Sequence, residues 1–260
     1  MWRSNSKMKK FYFWDDENSE GKSVIIKELL DPTYGCYVWP AAFVLAEYIW
    51  HERDLFKDKT ILELGSGTSL PGLLCALLSD NTHVILTDRS DVPQILENIR
   101  EIAKLNNLLS RNNIWIKGLM WGDFSDNDHQ LESGGGLFQL LNDIEKSNRK
   151  IDWILGSDTF YDPKDFEDII VTIAYILTYH FPNAKFITSY QERSSKRSIQ
   201  YLLDKWKLKC NQISLASFNF NHNKYINDKN DDNEEDKEST DDVAYAASLQ
   251  SIFLLEITKI

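Results

Sequence analysis

TILELGSGTSLPG, residues Thr60 to Gly72, reads as a short apolar strand, a glycine turn and the opening of a helix. Ile61, Leu62 and Leu64 supply the strand, Gly65 and Gly67 punctuate the turn, and Pro71 falls in a first helical turn, which tolerates a residue without an N–H. A turn that lets a ligand lie against bare backbone has no room for Cβ atoms and often needs positive φ, which is why the glycines sit there. The helix that follows points its free N–H groups back at the turn.

Three residues narrow what such a turn holds. Glu63 lies two residues before Gly65, at the carboxyl end of the strand, where a carboxylate facing the crevice repels a pyrophosphate and suits a cation. The sixth position counted from Gly65 is Leu70, where a dinucleotide fingerprint has glycine or alanine. Twenty-one residues after Gly67, the run HVILTD ends in Asp88, the placement of an acid that grips a ribose diol. A nucleoside with a cationic amino-acid tail meets all three conditions, and S-adenosylmethionine is the common one. A nicotinamide-dependent oxidoreductase is disfavoured by Glu63 and Leu70. A non-catalytic adaptor on the same scaffold is the third reading.

The chain has 260 residues and 42% apolar side chains, enough for one large α/β domain, and residues 1–260 are taken as one unit. Cys36, Cys75 and Cys210 are far apart and odd in number, so neither a disulfide framework nor a metal site is expected, and a reducing compartment follows. The N-terminal MWRSNSKMKK is basic but lacks the apolar segment of a signal peptide. The longest apolar run, IIVTIAYILT from Ile169, is about half of what a bilayer requires. The expectation is a monomer of the cytoplasm or nucleus, without membrane contact. Of the net charge of −11, a net −7 lies between Asp228 and Asp242, leaving −4 on the rest. That balance disfavours direct nucleic-acid binding and allows a basic protein partner.

Along the chain, residues 11–28 contain two β-rich segments separated by DDENSEGK and read as a hairpin. Pro40 opens a helix with Trp39 at its mouth. After Asp88, Ser90 is expected to cap a helix carrying Ile95, Ile99 and Ile102. A strand leading to Trp121 follows, then a helix from Leu137 to Lys146, and then IDWILGSD, a strand buried on both faces that ends in Ser157 and Asp158. Asp162 and Pro163 open the next helix. AKFITSY, a further helix and a terminal strand pair complete a doubly wound sheet, with residues 219–242 expected as a mobile acidic loop between the last two strands. Ligands in such sheets bind at the carboxyl ends of the strands. Glu63, Asp88, Trp121, Ser157 and Asp158 therefore share one rim. Asp162 already fills the capping role after Asp158, so that carboxylate is left to orient a cationic side chain, with Tyr161 beside it. Arg193 reads as a surface or ion-pair residue.

Taken together, YGCYVWPAA, ILELGSGTSLPG, VILTDRSDVPQILENI, LMWGDF and ILGSDTFYDPKDFEDII resemble methyltransferase family 16 of the seven-β-strand methyltransferases, over nearly the whole chain from Phe11 to the last strand, the acidic insertion excepted. The resemblance implies a Rossmann-like sheet in the order 3-2-1-4-5-7-6 with its last strand antiparallel, S-adenosyl-L-methionine as donor, and a lysine or arginine side chain of a protein as acceptor. SDTFYDPKDFEDIIVTIAYIL and TSYQERS are most similar to a branch acting on histone arginine. By the same resemblance, Trp39 lines the donor pocket, and Glu63, Gly65, Ser66 and Gly67 lie against the methionine part. Asp88 holds the ribose, Trp121 stacks near adenine and Ser157 touches the donor. Asp158 and Tyr161 match the D-x-x-Y motif. Its last position can be Phe in relatives, which puts the need for the hydroxyl in question.

Overall fold

A computed structural model describes residues 6–15, 20–29, 34–125, 135–191, 193, 198–218, 220 and 251–260. A two-stranded antiparallel ribbon comes first, β1 (Ser6–Phe13) and β2 (Lys22–Leu29), with Phe11 opposite Val24. It extends beyond the expected residues 11–28 at both ends. Seven further strands form the main sheet: β3 (Thr60–Leu64), β4 (His83–Asp88), β5 (Ile114–Gly118), β6 (Trp153–Ser157), β7 (Lys185–Gln191), β8 (Leu208–Ile213) and β9 (Ile252–Lys259). They lie in the order β5-β4-β3-β6-β7-β9-β8. Counted from the first strand of the sheet, that is 3-2-1-4-5-7-6. The strands from β3 to β7 are parallel, and β9 runs antiparallel to both neighbours. This is the expected architecture.

Helices cover both faces. On one face α1 (Pro40–His51), the short α2 (Arg53–Phe56), α3 (Leu70–Leu78) and α4 (Pro93–Leu105) pack with the ribbon over Ile61, Val84 and Leu155. On the other, α5 (Leu137–Lys146), α6 (Phe166–Tyr175) and α7 (Gln200–Lys205) cover Leu62, Ile85 and Ile154. Successive strand residues thus alternate between two cores, which explains why the central strands are apolar at nearly every position. The ribbon is fastened to the helical layer: the Asn106 side chain accepts from the Ile25 N–H at 2.8 Å and donates to the Ile25 carbonyl at 2.7 Å.

One local expectation is corrected. Ser90 does not cap α4; the helix begins at Pro93, preceded by Val92, which makes no side-chain cap bond. Proline sets φ for the first helical position and overrides the better capping residue upstream. Asp162 does cap the turn it was assigned, accepting from the Lys164 N–H at 3.3 Å. Of the acidic segment 219–242, only Phe220 is among the described residues. No helix among them is long and apolar enough to cross a membrane, and no cluster among them could hold a metal ion.

Candidate active site

The strand order reverses between β3 and β6, and the crevice beyond their carboxyl ends is a cavity of about 660 Å³. Such a volume lies within the range of small-molecule sites, roughly 300–1,000 Å³. Of the ten residues singled out from sequence, nine line it: Trp39, Gly65, Ser66, Gly67, Asp88, Trp121, Ser157, Asp158 and Tyr161. The tenth is corrected. Glu63 shares a sheet face with Ile61 and is fully buried beneath the start of α3, not on the cavity wall.

The glycine turn is built as a backbone cradle. Gly65 and Gly67 have φ of +63° and +53°, a region that side chains other than glycine seldom adopt. A Cβ on Gly65 would come within 2.7 Å of the Trp121 ring, so the glycine also gives that ring its place against the turn. The Ser66 N–H donates to the Thr87 carbonyl at 2.8 Å, and the Ser66 hydroxyl accepts from the Thr87 N–H at 3.1 Å. The turn is thereby sewn to the tip of β4. There the Asp88 carboxylate accepts from the Gly67 N–H at 2.7 Å and from the Arg89 N–H at 2.8 Å. Burial pushes the Asp88 carboxyl upward, and these two backbone donors oppose that shift.

Glu63 explains Gly72. A Cβ on Gly72 would lie 2.4 Å from a Glu63 carboxylate oxygen and 2.5 Å from Leu86, so only glycine lets α3 close over the acid. Neither oxygen makes a hydrogen bond of good geometry. Burial raises this carboxyl to about 8, partly offset by the nearby Ser66 side chain and Gly72 N–H. Near neutral pH it is mostly a neutral acid packed under the cradle.

The opposite wall comes from the first helical layer. Trp39 precedes α1, and its ring meets that of Tyr37 edge-on at 5.4 Å. Between them, the Val38 N–H donates to the buried Glu28 carboxylate at 3.0 Å, which also receives Lys9 at 3.0 Å. The ribbon therefore sets the height of this wall.

At the tip of β6, Asp158 has a positive φ of 53°, and its N–H donates to the Ser189 carbonyl on β7 at 2.7 Å. Its carboxylate is paired with Arg193 through two hydrogen bonds of 2.9 and 2.6 Å. Arg193 is thus the ion-pair residue expected, and it too borders the cavity. Tyr161 is 39% exposed at the mouth. Burial and the neighbouring Asp165 raise its hydroxyl above the usual tyrosine value. Sequence reasoning missed Tyr37, Arg89, Asp165 and Asp168, which also line the mouth. Two of these stand next to or two residues from residues already chosen, and the two acids lie around the first turn of α6 beyond the D-x-x-Y motif.

The sheet order, the glycine cradle and the acid at the second strand tip define an S-adenosylmethionine-dependent methyltransferase. A 16S rRNA N2 G1207 methyltransferase of T. thermophilus, solved with AdoMet and guanosine, has the same fold, with a TM-score of 0.53 over 98% of this chain and 51% of that one at 11% identity. Sequence comparison is more specific. The family profile described as "Lysine methyltransferase" matches residues 18–133. The histone-arginine methyltransferase METTL23 of Xenopus laevis is 40% identical over 83% of this chain and 82% of its own length. The human protein of that name is 41% identical over 70% of this chain and 84% of its own. This chain belongs to that protein methyltransferase family, methyltransferase family 16.

Proposed function

We propose that residues 1–260 act as one domain that methylates a side-chain nitrogen of a protein, an arginine of a histone or other basic protein being the favoured acceptor. The observation that carries this is the pairing, in one cavity, of the glycine cradle and Asp88 on one side with Asp158 and Tyr161 on the other. The names of the METTL23 relatives support arginine, and the family description supports lysine as the alternative.

The residues fit the donor. The cradle offers backbone without Cβ atoms, Asp88 presents a carboxylate suited to a ribose diol, and Trp39 and Trp121 give apolar walls. When bound, the donor supplies a methyl group on a positively charged sulfur, ready for in-line displacement. The protein's part is positioning and electrostatics. Gly65, Ser66 and Gly67 bind the methionine part, Ser157 touches the donor, and Trp121 borders the adenine. Asp158 orients the acceptor cation by charge-assisted hydrogen bonds, and Tyr161 forms the other side of its entry. Four aspartates, Asp88, Asp158, Asp165 and Asp168, against Arg89 and Arg193 leave the mouth net acidic, which suits a basic peptide. An odd number of widely spaced cysteines suits a reducing compartment, cytoplasm or nucleus.

Purified protein incubated with isotope-labelled S-adenosylmethionine and core histones should label an arginine, located by mass spectrometry. Label on lysine alone would reassign the acceptor. No labelling of histones or lysate proteins would remove the catalytic reading.

A further inference from the structure

Asp158 is 7% exposed, and both of its carboxylate oxygens are occupied by a cation of the chain itself. Arg193 donates Nη1 to Oδ1 at 2.9 Å and Nη2 to Oδ2 at 2.6 Å, the parallel two-bond arrangement that guanidinium and carboxylate favour. The Gln191 N–H adds a longer contact of 3.5 Å to Oδ1. The pairing follows from the sheet. β6 and β7 are parallel neighbours with Ser157 opposite Ser189, so residues just beyond their carboxyl ends meet over the cavity. The Arg193 side chain keeps 30% of its surface open to solvent, so water can receive it when it leaves.

A nearly buried carboxylate without a counter-charge is costly, whereas exchanging one cation for another leaves its surroundings almost unchanged. An incoming guanidinium can rebuild the same two bonds; an ammonium is a point donor and cannot. Resting on the assignment of Asp158 to the acceptor, we infer that Arg193 is a placeholder for the acceptor. It holds the Asp158 carboxylate between turnovers, yields it to the incoming side chain, and sets the affinity that any acceptor must exceed. Since a competitor weakens every ligand of one anion by the same factor, Arg193 sets a threshold, and the two-bond geometry at Asp158 decides which cation clears it.

The full chain, saturated with S-adenosylhomocysteine so that no turnover occurs, is titrated by NMR with ethylguanidinium and separately with butylammonium. An anion free about a tenth of the time weakens its ligands about tenfold. Arg193→Ala should therefore tighten both probes by about tenfold and equally, with Arg193→Lys between it and the native chain. In an Asp158→Asn background the same alanine substitution should change nothing, because the effect passes through that carboxylate. Equal or weaker binding to a folded Arg193→Ala chain overturns the inference, as does tightening that persists without Asp158, which marks a general charge effect. If the alanine variant does not fold, the lysine variant decides in the same way. These are binding measurements, so a failure of methyl transfer would count against the proposed function and not against the placeholder.

Discussion

The Gly67 amide donates to the Asp88 carboxylate at 2.7 Å across 21 positions of sequence, so the turn after one strand is braced by the tip of the next. The acid thereby does two things. It shapes the cradle and presents its remaining lone pairs to the cavity. Asp88→Asn is nearly isosteric, but its amide nitrogen cannot accept, so one of the two bonds from the Gly67 and Arg89 N–H groups is lost together with the charge. S-adenosylmethionine affinity measured by calorimetry should fall by at least tenfold, the effect of about one lost charge-assisted hydrogen bond. A change below twofold would remove Asp88 from the donor site.

Gly65→Ala should weaken donor binding at least as much. The substitution strains a turn held at φ +63° and drives a methyl group into the Trp121 ring at 2.7 Å. Calorimetry checks the affinity, and a crystal structure of the variant should show that ring displaced.

Glu63 supplies a pH dependence with a definite sign. Its folded value of about 8 lies above the ordinary glutamate value of 4.5, so between those values the folded state binds the proton that the unfolded state has released. Stability from this group is therefore fully present below about pH 4.5, falls as pH rises, and levels off above about pH 8. Glu63→Gln should melt on the order of 5 °C higher than the native chain at pH 8, with the two converging near pH 4.5. Thermal melts at both pH values make the comparison, and a gap that does not change with pH would show that Glu63 keeps its proton in neither state.

At the acceptor side, Asp158→Asn should lower kcat/KM for a histone substrate by on the order of 100-fold through lost alignment of the acceptor. Tyr161→Phe should stay within about threefold of native, since the ring face that meets an acceptor cation is retained. A large loss in Tyr161→Phe, with donor binding intact, would give the hydroxyl a direct role.

The sheet was readable because its strands are apolar runs set between proline and glycine signals, and Pro40, Pro71, Pro93 and Pro163 each stand within a first helical turn. The rim was readable too, because strand ends converge by topology. Side-chain direction was not. Glu63 was expected to face the crevice, yet its alternation with Leu62 and Leu64 puts it on the face with Ile61, and Gly72 in a helical first turn was the unread sign of what lies beneath. The partner of Asp158 stands 35 residues away on the next strand's loop, and no local pattern in sequence encodes such a meeting.

Tyr37 and Trp39 hang from Glu28, a residue of a ribbon that forms its own sheet apart from the seven strands. The walls of the cavity thus depend on two separate sheets. The strand tips are tied to one another in the seven-stranded sheet, whereas the ribbon is bound to the helical layer through Asn106 and its buried Phe11, Phe13, Val24 and Ile26, with Met8 and Tyr12 on its outer face. A substitution at Glu28 would therefore reshape the wall of the cavity from outside the sheet that forms its floor.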